Sequence, residues 1–371
     1  MNPAPLKPRT IWGYATTSHR SAIVMKLVDA LPSVRKTQTP PLLTSDTVIS
    51  SVAGLGDLVI QMPLIDAMVS SARRNGADPL VALRPAHVSL GVACGWRVLA
   101  FENPLTHFFG HGISIRVACD SLDAISRLRK RRVHSWIDLT GNAVNALALR
   151  IAGVREVSSI ITRGGSSSIH CGIPHRPFEN EYEFRARLAD YFGCALDFSV
   201  YQRLAVSSPS GPIVLAITTY NRWKSWPLTN FHKIAQAFPE KSFVAVGSLK
   251  EIPAHDLADW VLLRSLPNVS NQLDALDLPQ LASTIASACA FIGNDSGGTH
   301  FANAYEKKGA VIFGPTMSDT WHNPRSRLKL FHDQSCPYYP CKVWKCDRPE
   351  QWCMTSTSAE MVIQHLRTIL A

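Results

Sequence analysis

The sequence predicts an α/β protein made of two doubly wound domains that face a central cleft, and three observations point there. Segments that read as buried strands alternate with segments that read as helices along most of the 371 residues. Two of the strand segments run into glycine turns that open a helix, Gly54-Leu55-Gly56-Asp57 and Gly293-Asn294-Asp295-Ser296-Gly297-Gly298-Thr299-His300. Between them, Ser207-Ser208-Pro209-Ser210-Gly211-Pro212 is the clearest linker. Strand–helix alternation argues for parallel sheets covered on both faces. A chain of this length favours two cores over one.

Residues 1–45 read as an extension, in which 21–31 fits a helix and Pro32, Pro40 and Pro41 punctuate the stretch after it. The first domain, 46–206, opens with a strand over 47–53. A helix then starts near Asp57, with Leu58, Ile60, Leu64, Ile65, Met68 and Val69 on its apolar face. Pro63 belongs to the first turn of that helix or kinks it. Strands at 80–83 and 97–100 flank a polar helix. A basic helix over 120–132 precedes a strand at 136–139, which ends in Thr140-Gly141-Asn142. A helix then runs through Ile151, Gly164 to Ser168 form a glycine- and serine-rich loop, and 179–192 is a charged helix.

After the linker the pattern restarts, giving a second domain over 207–355. Its elements are a strand at 213–217, a helix at 228–237, a strand at 243–246 and a helix at 278–287. A strand at 290–292, the second glycine turn with its helix, and a strand at 310–313 complete it. A final helix, within 356–371, is expected to pack back on the first domain.

With 46% hydrophobic and 18% charged residues, the composition is that of a globular chain and not a disordered one. No uninterrupted apolar run approaches bilayer-spanning length. Residues 1–10 are proline-rich and lack an apolar signal core, so the expectation is a cytoplasmic protein. The net charge of +10 and pI near 9.3 favour an anionic partner. Basic residues are densest at Arg127, Arg129, Lys130, Arg131 and Arg132, a run that is either a solvated helix end or an anion contact. No nucleic-acid-binding motif accompanies it, so nucleic acid is not the expected partner. Of nine cysteines, five stand singly and read as small buried hydrophobes. The other four, Cys336, Cys341, Cys346 and Cys353, bunch together at spacings unlike the paired C-x2-C zinc pattern.

Gly54-x-Gly56 after a strand suggests a dinucleotide-binding loop, but Val59 stands where the third glycine belongs. What remains is a tight turn with Asp57 at a helix start, which serves either as a plain N-cap or as a base for an incoming hydroxyl. Residues 218–227, Thr-Thr-Tyr-Asn-Arg-Trp-Lys-Ser-Trp-Pro, lie between a strand and a helix. Hydroxyls, backbone N–H groups and Lys224 make a phosphate cradle there; the alternative is a solvated lysine beside packed tryptophans. Asp295-Ser296-Gly297-Gly298 repeats the device, with a helix dipole that favours a diphosphate. The alternative for it is an Asx-capped turn with His300 in the core.

Together these stretches resemble glycosyltransferase family 9, the ADP-heptose:lipopolysaccharide heptosyltransferases. The matching pieces are Gly56-Asp57-Leu58-Val59 with Pro63-Leu64; Asp138-Leu139-Thr140-Gly141-Asn142; Lys224-Ser225-Trp226-Pro227; Asn294-Asp295-Ser296-Gly297 with His300; and Phe313-Gly314-Pro315-Thr316. They occur in order over about residues 46–365. The resemblance implies a GT-B fold and an inverting transfer of heptose from ADP-heptose to a sugar hydroxyl of lipopolysaccharide core, with no obligatory metal. It implies Asp57 as general base. Gly56, Thr218, Thr219, Lys224, Asp295, Ser296, Gly297 and His300 would hold the ADP-sugar, with Glu251 at the nucleoside ribose.

The basic charge suits an anionic glycolipid acceptor at the inner face of the inner membrane, with Arg129, Arg131 and Arg132 as candidate contacts. Ser50 and Ser51 stand where many relatives carry an arginine. Some protein-modifying relatives hold iron at a cysteine cluster, so Cys336, Cys341, Cys346 and Cys353 form a candidate structural iron or zinc site. Two other readings accompany the first: a protein O-heptosyltransferase of the same fold, and a catalytically silent nucleotide-binding scaffold.

Overall fold

The computed structural model describes residues 19–102, 115–205, 211–339, 346 and 351–371. They form two compact units, one ending at Val200 and the other spanning Tyr201–Ala371. The expected linker is only partly visible, because 206–210 lie outside the described residues. The chain passes from one unit to the other earlier, at Tyr201. Its carbonyl accepts a hydrogen bond from the Tyr305 hydroxyl at 3.1 Å, and the two rings meet edge to face.

The first unit holds β1 (Thr47–Ser51), β2 (Leu80–Leu83), β3 (Arg97–Ala100), β4 (Ser135–Asp138), β5 (Glu156–Ile160) and β6 (Cys171–Ile173). They pair in parallel in the order β3-β2-β1-β4-β5-β6. The second holds β7 (Gly211–Ala216), β8 (Phe243–Val246), β9 (Val269–Asn271), β10 (Ala288–Asn294), β11 (Gly309–Phe313) and β12 (Leu328–His332). Their parallel order is β12-β11-β10-β7-β8-β9. From its first strand outward, each sheet is the same doubly wound arrangement, which reverses direction between its first and fourth strands. The reversal falls between β1 and β4 in one unit and between β7 and β10 in the other. Ligands in such sheets bind beyond the carboxyl ends of the strands at that reversal. Both glycine turns start there.

Each sheet carries its own core. In the first, Trp136 meets Phe101 edge to face at 5.2 Å amid Val48, Leu149 and Val157. In the second, Trp226 and Phe231 sit at 5.0 Å amid Ile213, Phe243 and Ile292. Burying side chains of this size contributes roughly 2–3 kcal/mol apiece. The Leu55–Arg74 helix is long and apolar enough by composition to cross a bilayer, and most of it is buried in the first unit. Pro63 lies inside this helix and not in its first turn.

The final helix, Ala359–Leu370, lies in the second unit. Ala359, Val362 and Leu366 are buried in the second unit, against β11 and the Leu228–Ala237 helix. An apolar stripe at helical spacing fills its own unit's core. β5, β6, β9 and β12 had no sequence signal. They are short or rich in polar residues, and their neighbours in the sheet make them strands.

The described part of the extension, from His19 onward, belongs to the first unit. Its helix, His19–Asp29, docks on the loop between β5 and β6: Asp29 accepts hydrogen bonds from the Ser166 hydroxyl at 2.8 Å and the Ser167 amide at 3.3 Å. Val34 N donates to Ser167 O and Thr37 N to His170 O, and Lys36 Nζ donates to Ile169 O at 2.7 Å. Thr37 forms a parallel bridge with Cys171, so the segment lies along the edge strand β6 and covers it.

Candidate functional site

In the second unit, the residues after β7 and β10 form one polar cluster. Asn294, the last residue of β10, is fully buried. Its side chain accepts from Trp226 N at 2.9 Å and donates to Ile217 O at 3.2 Å, which ties the two post-strand loops together. Asn221 caps the short turn Arg222–Lys224 by accepting from Trp223 N at 3.1 Å. That turn delivers Lys224, whose Nζ donates to Asp295 Oδ2 at 2.7 Å.

Asp295 is 3% exposed. Burial alone would raise its pKa, but the charges of Lys224 and His300 and the hydrogen bond from Lys224 hold the carboxyl below its ordinary range. The ammonium spends one of its N–H groups on Asp295 and keeps the others for an anion. Next, the Gly297–Ala304 helix begins after Ser296 with no side-chain cap, and the Thr299 hydroxyl returns to Asn294 O at 2.6 Å. An uncapped helix start beside a lysine is a receptive place for phosphate oxygens.

Thr218 and Glu251 come together as a pair. The Thr218 hydroxyl accepts from Ser248 N and donates to Glu251 Oε2, both at 3.0 Å. Gly247, at φ +144°, permits this: a side chain there would overlap the Thr218 hydroxyl. Burial pushes the Glu251 carboxyl up, with Thr218 and Lys250 opposing and Asp274 adding to the rise. Thr219 is also buried.

The structure therefore brings Thr218, Thr219, Lys224, Glu251, Asp295, Ser296, Gly297 and His300 onto loops and helix starts at the carboxyl ends of β7, β8 and β10. His300 is both a core residue and a neighbour of Asp295, so the two sequence alternatives coincide. Trp226 is the buried tryptophan of the 218–227 stretch, whereas Trp223 stacks under the Arg222 guanidinium at 4.5 Å.

Sequence reasoning passed over Thr316, His322 and His332. Thr316 lies in the Phe313-Gly314-Pro315-Thr316 turn, a signal that was present. The two histidines had no spacing to mark them. Burial pushes both down in pKa, with Asp295 among the groups that oppose the shift. His332 bridges the Ser318 hydroxyl and Gly314 O, each at 3.0 Å.

In the first unit, Gly56 and Asp57 lie in the first turn of the Leu55–Arg74 helix. Asp57 is half-buried. Gly54 has ordinary extended φ, so its value is room: a Cβ there would stand 3.2 Å from Asp57 Oδ2. Asp138 ends β4 on the other side of the reversal and is buried. It accepts from Thr140 N at 2.9 Å, the Thr140 hydroxyl at 2.6 Å, Gly141 N at 3.2 Å and Asn142 N at 3.3 Å. Asp138 is thus the organiser of the 138–142 turn. The Ser50 hydroxyl accepts from Trp136 Nε1 at 2.8 Å and belongs to the same interior.

The basic run divides. Arg129 donates to Ile151 O at 2.7 Å, closing the end of the Ala143–Ala152 helix. Arg131 lines a cavity of about 450 Å³ with Arg127, Glu102, Phe101 and Leu128. Arg132, at φ +51°, comes after the helix end and is exposed. Of the three candidate contacts, Arg131 is the one at this cavity. Of the cysteines, Cys353 is buried, Cys336 and Cys346 are half-buried, and Cys341 lies outside the described residues. Among the described residues no three His, Cys, Asp or Glu side chains converge to hold a metal.

Two parallel sheets of this order, each with polar residues at its reversal, define a pair of nucleotide-binding-type units of the GT-B class. Residues 177–349 match the model of glycosyltransferase family 9 (heptosyltransferase). The fold is similar to that of E. coli heptosyltransferase WaaC with ADP, at TM-score 0.66 and 14% identity, covering 87% of this chain and 99% of that one. It is also similar to a family 9 glycosyl transferase from Veillonella parvula, at TM-score 0.64 and 11% identity over 90% of this chain and 99% of the other. E. coli ADP-heptose lps heptosyltransferase II aligns at TM-score 0.55 and 15% identity, over 87% and 98%. No curated relative matches the chain by sequence.

Proposed function

We propose that this glycosyltransferase moves a heptosyl group from ADP-heptose to a hydroxyl of an anionic lipopolysaccharide-core acceptor. The observation that carries the donor half is the pairing of a half-buried Lys224 with the buried Asp295 at the uncapped start of the Gly297–Ala304 helix. In the proposed complex the diphosphate lies along Lys224, Ser296, Gly297 and the residues after β7. Thr218 and Thr219 border it, and Glu251 accepts from the ribose. Asp295 holds the ammonium in place, and His300 supports Asp295 from the helix. Support for adenine as the base comes from solved neighbours described with ADP and with ADP-2-deoxy-2-fluoro heptose.

Chemically, the anomeric C–O bond to ADP breaks as the acceptor oxygen forms its bond to the same carbon, through an oxocarbenium-like state. The diphosphate gains charge as it leaves, and Lys224 with the helix N–H groups stabilises that charge where it develops. Asp57 takes the acceptor proton, and attack on the face opposite ADP inverts the anomeric centre. Arg131, at the rim of its cavity, is the basic residue we assign to acceptor phosphates or carboxylates, and the net charge of +10 fits work at the cytoplasmic face of an anionic membrane.

The test is Asp57→Asn with ADP-heptose and a heptose-deficient lipopolysaccharide core as acceptor. We expect ADP affinity within about twofold of the parent and turnover lower by a factor of about 10²–10⁴. Turnover close to the parent's would reduce Asp57 to a helix cap.

A further inference from the structure

The His19–Asp29 helix is apolar on both of its sides. Ala22 and Val28 are buried, on the side where Asp29 meets Ser166 and Ser167. Outward, Ile23 and Leu27 stand one turn apart at 46% and 65% exposed, and Leu31, just past the helix end, is 40% exposed. Side chains at this spacing share one face, and those exposures leave the face uncovered among the described residues.

The Ala143–Ala152 helix packs beside it and extends the face. Its less buried row is also apolar: Val144 and Leu147 are half-buried and Ile151 is 48% exposed. Arg150 Nη1 donates to Pro32 O at 2.6 Å, which joins the end of this helix to the end of the extension helix. The basic Ile115–Arg131 helix packs against Ala143–Ala152 in turn, and the Arg129 bond to Ile151 O joins their ends. The carboxyl ends of three helices therefore meet, with Leu31, Ile151, Arg129, Lys130 and Arg132 exposed at them and Arg35 exposed four residues after Leu31.

The charge at this end has one sign. Among the described side chains of the three helices the acids are Asp29, turned to the serine loop, and Asp123, which pairs with Arg127 at 3.0 Å. Residues 1–45 hold six Lys or Arg and Asp29 as the one acid. Cations suit the carboxyl end of any helix through its dipole, but that does not account for exposed leucine and isoleucine beside them. An apolar row bordered by cations fits the boundary of an anionic bilayer. The apolar side chains enter the acyl edge, and the long basic ones reach back to the phosphates.

We propose that this face, with Ile23, Leu27, Leu31 and Ile151 as its apolar row and the basic helix ends as its rim, docks the chain on an anionic phospholipid bilayer. The inference rests on the reading of a membrane-held acceptor, but its test does not use turnover.

The experiment is sedimentation of the full chain with vesicles of equimolar phosphatidylglycerol and phosphatidylcholine, and with phosphatidylcholine alone. The parent is expected to sediment with the first far more than with the second, and to be released by salt. Leu27→Gln with Ile151→Gln is expected to lower partitioning by about tenfold or more, because two large apolar side chains no longer enter the acyl edge. Both side chains are exposed and Arg129 bonds the Ile151 backbone, so the unfolding midpoint should stay near the parent's.

A net charge of +10 alone draws a chain to anionic vesicles, and a matched pair of variants separates that case. Arg35→Glu with Lys130→Glu reverses charge at the face. Arg325→Glu with Arg327→Glu makes the same change at exposed positions of the second unit. The first is expected to lower partitioning about tenfold and the second to leave it within about twofold. Equal losses, or full binding by Leu27→Gln with Ile151→Gln, would overturn the proposal. So would a dimer in solution that Leu27→Gln dissociates while vesicle binding persists, which would give the face to a second copy. Absence of heptosyl transfer by the parent counts against the functional reading alone, and absence of vesicle binding against the docking alone.

Discussion

Asp295 and the buried histidines show how single side chains in this protein are set against their own desolvation. Asp295 stays ionised because Lys224 and His300 outweigh its burial. Its folded pKa lies below the ordinary 3.8, so its stabilising contribution is complete above that value and is lost only as pH falls beneath it. The histidines behave oppositely. Burial, with Arg84 adding to it, pushes His87 down to about 4, and burial with Arg163 does the same to His175. Each stays neutral in the folded chain between its ordinary 6.5 and about 4, while the unfolded chain takes up a proton there. Stability is therefore full above about pH 6.5, falls through that window by up to about 3 kcal/mol per histidine, and levels off near pH 4. A series of unfolding midpoints from about pH 7.5 to 4 checks this, and His87→Asn should flatten part of the slope. A midpoint unchanged from about pH 7 to 4.5 would contradict it. At this scale the sequence was informative about ligand-facing groups and silent about the charges that the fold buries. Asp57, Lys224 and Asp295 stand in recognisable turns. Arg185, Glu181 and Arg163 sit in ordinary-looking charged segments, and only the fold joins them through the shared Glu181 carboxylate.

Among the elements, the extension is where sequence and structure differ most in meaning. Its helix was legible from 21–31, but its role was not, because its partner is the glycine- and serine-rich loop more than a hundred positions away. That loop is shaped to receive it. Gly164 has φ +85° and ψ 174°, a conformation almost confined to glycine, and a Cβ there would stand 2.5 Å from Met25 Cγ. Gly153, at φ +83°, ends a helix in open space. Gly153→Ala should therefore cost only the left-handed backbone penalty, about 1 kcal/mol. Gly164→Ala must add the displacement of the extension helix, for a total of about 3 kcal/mol or more. Denaturant titration of the two variants compares them directly, and equal losses would mean that the extension helix is not held against the loop. The final helix teaches the complementary lesson. Its apolar stripe was plain in the sequence, but a stripe states only that a helix is buried and not which core receives it, and β11 with the Leu228–Ala237 helix proved to be the recipient.

For the molecule as a whole, the economy lies in repeating one topology. Both sheets reverse between first and fourth strands, and each reversal carries a glycine turn, a buried Asp or Asn and a helix start. Most strands were legible because they are apolar; β5, β6, β9 and β12 take their conformation from pairing, which no local pattern records. The family match over 177–349 takes in most of the unit in which the donor cluster sits. Acceptor identity was not legible, because acceptor surfaces are built from loops that share no transferable pattern. The central claim is that this cluster is an adenine-nucleotide diphosphate site. The most direct test is the thermal shift of the parent chain and of Lys224→Ala with ADP, UDP, GDP and CMP at equal concentration. The account predicts a shift of the parent by ADP above the other three, of the size mass action gives for a saturated site, and its loss in Lys224→Ala. A larger shift with UDP, or none with any nucleotide, would contradict it.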